Sequence, residues 1–164
     1  VAQDLVVTEI DCGTEHGLPN DHVVSTRSPY PVLDSLSEVP DSVWNNPGIV
    51  VEKFLPEHDS RGYWSRIWVF FGDRERCTRC RGVDPIVKGS GFLEREPCGV
   101  PDEIRAERER LGFDYGKFDF VMHAGQAVLL DANRTPNSAL PAQSAALAQS
   151  DADLAQGIER MLTC

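Results

Sequence analysis

The sequence has no apolar run long enough to span a bilayer and no signal-peptide pattern at its start, so no membrane association is expected and the cytoplasm is the default setting. It is short of positive charge. Sixteen Lys and Arg stand against 26 Asp and Glu, a formal net charge of -10, which argues against nucleic acid or an anionic membrane as partner, because both need a basic surface to neutralise them. Lysine is missing altogether before Lys53. A disulfide framework is missing too. Cys12, Cys77, Cys80, Cys98 and Cys164 are odd in number and scattered, which fits free thiols in a reducing compartment. Cys77 and Cys80 form a lone Cys-x-x-Cys without the second pair that zinc usually needs, and three positions along a strand over Arg74–Arg81 would put them on opposite faces, so a zinc module is the weakest of three readings. The chain also lacks an initial methionine and runs from Val1 straight into a strand, as a fragment of a longer protein would.

What is present suits an α+β domain, or two small lobes sharing a site, long enough to bury a core. Leu5–Ile10 and His22–Thr26 read as strands around a turn-rich loop, Asp11–Pro19. Val32–Val39 reads as a short helix stopped at Pro40, and Asn45-Asn46-Pro47-Gly48 as a turn. Ile49–Leu55 is almost continuously apolar, the pattern of a buried central strand, interrupted by Glu52 and Lys53 near its end. Trp64–Phe71 is apolar on both faces, which lodges Arg66 in a covered cleft, and Gly72-Asp73 turns it back. The returning strand carries Arg74, Arg76, Arg79 and Arg81. Arg79 and Arg81 share a face able to grip a phosphate or carboxylate, although solvated charges deterring aggregation at a sheet edge explain them as well. Lys88 stands alone in a glycine-flanked loop, Asp102–Leu111 reads as a helix ended by Gly112, and the Ala-, Ser- and Gln-rich stretch after Pro136 reads as a linker. A final helix from Ser150, with the stripe Leu154, Ile158, Met161 and Leu162, is expected to dock on the sheet.

The most informative stretch is Leu111–Pro136, in which two apolar and aromatic runs flank Ala124-Gly125, the pattern of a β-hairpin. Lys117, Asp119, Val121 and His123 share one face of the first run, and Leu129, Asp131 and Asn133 one face of the second. A two-residue loop would put Asp119 and Asp131 on opposite faces, whereas the preferred three-residue loop, His123-Ala124-Gly125, puts them together. Facing carboxylates repel unless neutralised, and a magnesium ion held by Asp119, Asp131 and Asn133, with nucleotide oxygens completing the shell, would neutralise them. A solvent-facing polar hairpin fits the same spacing.

Asp119-Phe120-Val121 followed by Asp131-Ala132-Asn133-x-x-Pro136 resembles the metal-binding end of the ATP-grasp fold, and Gly48–Leu55 resembles the strand and hinge that line its adenine. The resemblance covers roughly Gly48 to Asn137 and rests on the order and spacing of segments. It implies an ATP-grasp core over 48–137 with antiparallel or mixed sheets and flanking helices, a small lobe with a glycine-containing loop over 1–47, and a linker and packing helix over 138–164. It implies ATP and magnesium as cofactors and a small carboxylate as substrate, activated as an acylphosphate for attack by an amine or thiol. Glu52, Lys53 and Leu55 would meet the adenine, Asp59 the ribose, and Lys88 the terminal phosphates, while Arg66, Arg79 and Lys117 would supply positive charge. Lys117 matches the basic position that stabilises the transferring group. Two departures stand out: Thr8 occupies the place of a phosphate-contacting lysine, and the preceding substrate lobe is absent, to come from a longer protein or a partner subunit. Both favour the alternative of a non-catalytic nucleotide-binding or interaction module.

Overall fold

Gly62–Phe71, the segment most apolar on both faces, becomes the centre of the main sheet. In the computed structural model, which describes residues 5–9, 31–135 and 145–162, the strands are β1 Leu5–Glu9, β2 Val32–Leu33, β3 Ile49–Lys53, β4 Glu57–Asp59, β5 Gly62–Phe71, β6 Arg74–Gly82, β7 Glu94–Pro97, β8 Tyr115–His123 and β9 Gln126–Asn133. The helices are α1 Asp41–Trp44, α2 Asp102–Leu111, α3 Ala145–Ala155 and α4 Ile158–Leu162. The architecture is α+β, and every described strand pair is antiparallel. One sheet has the order β2-β1-β3; the other runs β7-β6-β5-β8-β9, with β4 on β5. β4 and β8 share one edge of β5 end to end: β4 pairs with Gly62–Trp64 and β8 with Arg66–Phe71.

The two faces of the main sheet differ because side chains alternate. On one face Trp68, Phe70, Phe118 and Phe120 are fully buried and close on Ile104 of α2 and Phe113. Phe118 meets Trp68, Phe113 and Phe70 edge-on, the last at 5.2 Å and 86°, the arrangement that aromatic quadrupoles favour. α2 ends where Gly112 enters the left-handed region at φ 64, donating its amide to Glu109 and leaving Phe113 pointed into this core. The opposite face carries Ser65, Ile67, Lys117, Asp119 and Val121.

Several expectations need correcting. Val32–Val39 is not a helix: Val32–Leu33 adds to β1, and only Leu36–Glu38 makes a single 3-10 turn. β3 is an edge strand, its residues half-buried or exposed, because a sheet of three strands covers little. The last helical region starts at Ala145, with Ser150 inside α3, and breaks at Gly157; Ile158 and Leu162 of the stripe remain exposed. Residues 11–30 and 136–144, with the glycine-containing loop and the His22–Thr26 strand, lie outside the described residues.

Candidate functional site

The β8–β9 hairpin brings Asp119 and Asp131 to one face, as expected, by an unanticipated route. His123 pairs with Gln126, so the loop is the two-residue Ala124-Gly125, with φ 51 and 82, and not the three-residue loop expected from the sequence. Left-handed backbone at both positions is the type I′ turn whose twist matches the flanking strands. From His123 back to Phe120 the register would set Asp119 against Leu130. A bulge between Asp119 and Phe120 absorbs Leu130, so that Asp119 faces Asp131 and Lys117 faces Asn133. The extra residue expected in the turn sits in the strand instead.

Lys117 Nζ lies 2.7 Å from Asp119 Oδ2, while Asp131 is exposed across the ladder. Burial pushes the Asp119 carboxyl above its ordinary value and the Asp131 charge adds to that; the hydrogen bond and charge of Lys117, with the charge of Lys88, offset only part of it. Asn133 Oδ1 accepts from the Thr135 backbone amide at 2.7 Å, fixing the strand end. Among the described residues no three Asp, Glu, His or Cys side chains converge as a metal cage. The facing carboxylates of Asp119 and Asp131 are the groups here that could hold magnesium, which keeps waters and takes few protein ligands, whereas the Asn133 oxygen on the same face is engaged by Thr135.

Lys117, Asp119 and Asp131 line a cleft of about 630 Å³ between the two sheets. Glu52, Lys53, Phe54 and Leu55 form another wall, and Lys88 with the Pro85–Gly89 loop a third. Lys53 is the last residue of β3 paired with β1, so Phe54–Pro56 runs past the ladder into the cleft. Ile67, Val121 and Phe92 supply apolar surface. The chain contains only three lysines, Lys53, Lys88 and Lys117, and all three line this cleft. Three carboxylates, Glu52, Asp119 and Asp131, accompany them.

Arg66, Arg79, Asp59 and Asn133 are not among the lining residues. Arg66 and Arg79 face each other across β5 and β6, on the sheet face opposite Ile67. Two facing guanidiniums would repel, and Glu57 resolves this. Arg66 grips both Glu57 oxygens at 2.9 Å, Arg79 Nε binds Oε1 at 2.8 Å, and the Met122 amide donates to Oε2 at 2.8 Å. Burial alone would raise the Glu57 carboxyl; the Arg66 hydrogen bonds, the Met122 amide and both guanidinium charges overcome it and hold the carboxyl below its ordinary value. Arg79 also binds Glu96 at 3.2 Å and stacks 3.7 Å above the Trp64 ring, and Arg81 binds Glu94 at 2.9 Å. The arginine row expected to grip a ligand thus grips the protein's own carboxylates. Asp59 caps the β4–β5 turn by accepting from the Arg61 amide at 2.8 Å.

Glu57 is the organising residue that the sequence did not signal. Together with His123 Nδ1, 2.9 Å from the Pro56 carbonyl, it ties the chain after Leu55 to the end of β8. The wall of the cleft that precedes it is fixed by this tie. No family model matches the sequence, and no curated protein matches it.

Proposed function

We propose that the cleft binds ATP with magnesium in the manner of an ATP-grasp domain and activates a small carboxylate for ligation. The observation that carries this is the gathering of all three lysines with two facing aspartates in one cleft. Lysines are point charges for phosphate oxygens, and the aspartates suit the cation that accompanies them. Antiparallel or mixed sheets with flanking helices are what the resemblance implies, and here the cleft lies between two antiparallel sheets. Phe54 and Leu55, just past the last paired residue of β3, offer backbone and apolar surface to a base. Lys88 orients the terminal phosphates, and Lys117, held by Asp119, presents charge where a transferring phosphoryl group would spread its own. Magnesium, held by Asp119 and Asp131, would neutralise phosphate oxygens. A carboxylate oxygen attacks the γ-phosphorus as ADP leaves, and an amine or thiol then attacks the acyl carbon and releases phosphate. Arg66 and Arg79 position the wall through Glu57 and take no part in the transfer.

That loss of two cations favours a second reading, a nucleotide-binding module without turnover, and Thr8 in β1 where the resemblance calls for lysine adds to it. A thermal shift with ATP and magnesium, followed by phosphate release with candidate carboxylates, separates the readings. Stabilisation with release supports the ligase, and stabilisation without release the binding module. No stabilisation overturns both. Asp131→Asn sharpens the test: relieved of its neighbour's repulsion, the ligand-free protein should gain about 0.2–1 kcal/mol, while the magnesium-dependent shift disappears.

A further inference from the structure

Cys77 and Cys98 meet at the other end of the sheet from the hairpin. β6 and β7 pair with Thr78 opposite Pro97, so the next facing pair is Cys77 and Cys98. The Cys98 amide donates to the Cys77 carbonyl at 3.1 Å, and the two sulfurs lie 3.3 Å apart. Facing residues of such a hydrogen-bonded antiparallel pair have Cα atoms about 5.5 Å apart, inside the span of about 4.4–6.8 Å that a disulfide bridges. Both residues are half-buried, Cys77 packing against the aromatic core. Cys80, three positions on, falls on the opposite face and is buried. The pairing of Cys77 is therefore with Cys98, and not within the Cys-x-x-Cys.

We propose that Cys77 and Cys98 are a thiol-oxidation site, closed by hydrogen peroxide into a reversible disulfide across β6 and β7. The Cys98 thiolate attacks one peroxide oxygen and the O–O bond breaks, giving a sulfenic acid and, with one proton taken up, water. The Cys77 sulfur then attacks the Cys98 sulfur and expels the hydroxyl as a second water. Two thiols lose two electrons and two protons, and the peroxide gains them. The division of roles follows the surroundings. The hydrogen bond between Cys77 and Cys98 lowers the Cys98 thiol despite its burial, and the Arg66 charge lowers it further, whereas the same hydrogen bond and burial raise Cys77. Cys98 is the attacking sulfur and Cys77 the resolving one.

The test is brief exposure of the native chain to an equivalent of hydrogen peroxide, then tryptic digestion without reductant and mass spectrometry. Cleavage after Arg76, Arg79 and Arg95 puts Cys77, Cys80 and Cys98 on separate peptides, so the link can be assigned. The expected product joins the Cys77 and Cys98 peptides, disappears with dithiothreitol, and falls several-fold in yield when oxidation is run in denaturant. In Cys77→Ser the Cys98 sulfenic acid should instead be trapped by dimedone. Oxidation that leaves Cys77 and Cys98 unlinked, or an equal yield of their link from folded and unfolded chain, would overturn the proposal. Neither result bears on nucleotide binding, which is read separately.

Discussion

Glu57, only 6 % exposed, satisfies two guanidiniums and a backbone amide with one carboxylate. Removing its charge leaves Arg66 and Arg79 facing each other with side chains 18 % exposed, so Glu57→Gln should cost about 3–5 kcal/mol at neutral pH. The pH dependence follows from the depressed carboxyl. A group lowered in the folded state adds stability above its unfolded value of 4.5 and loses it as pH falls through the folded value. Denaturant midpoints of wild type and Glu57→Gln should therefore converge in acid. A gap that stays constant from pH 7 to pH 3 would show that Glu57 acts by packing and not by charge. Asp119 runs the other way: raised in the fold, its contribution is present below its unfolded value of 3.8 and lost as pH rises through the folded one.

At the scale of elements, the Ala124-Gly125 turn holds the most accessible gain. Ala124 sits at φ 51, a conformation that costs an ordinary residue about 1–2 kcal/mol and that Asn tolerates better. Ala124→Asn should raise stability by about 0.5–1 kcal/mol with an unchanged denaturant slope, and no gain would mean that the turn is strained elsewhere. The hairpin was legible in the sequence because two apolar runs flank a turn pair, and α2 because charges surround Ile104 up to a glycine. The bulge at Leu130 was not legible: alternation reports a face only while the register holds, and nothing in Val128–Asp131 marks the slip. Glu57 was hidden for a related reason. Its partners Arg66 and Arg79 come 9 and 22 residues later, and which carboxylate meets a guanidinium is decided by strand order rather than by spacing. Cys77 and Cys98, 21 residues apart, were separated by the same blindness.

At the scale of the whole molecule, the C-terminal helices hang on one close approach. A Cβ on Gly157 would collide with the Phe71 carbonyl oxygen, and the Arg76–Asp151 pair at 2.6 Å secures α3 beside it. Gly157→Ala should release α3 and α4: amide exchange across 145–162 speeds up while β5 and β8 stay protected. Equal loss of protection in the sheet would make these helices part of the core.

The main sheet is two local hairpins, β5–β6 and β8–β9, joined along β5–β8, and neither side of that seam holds a whole cleft. Lys88 lies in the chain before the join, and Lys117, Asp119 and Asp131 after it. Any occupant that needs both sets bridges the seam, and its binding free energy is counted as resistance to opening there. By mass action an occupant at a hundred times its dissociation constant would add about 2.7 kcal/mol to that resistance. Its abundance would then set how long the halves of the sheet stay together.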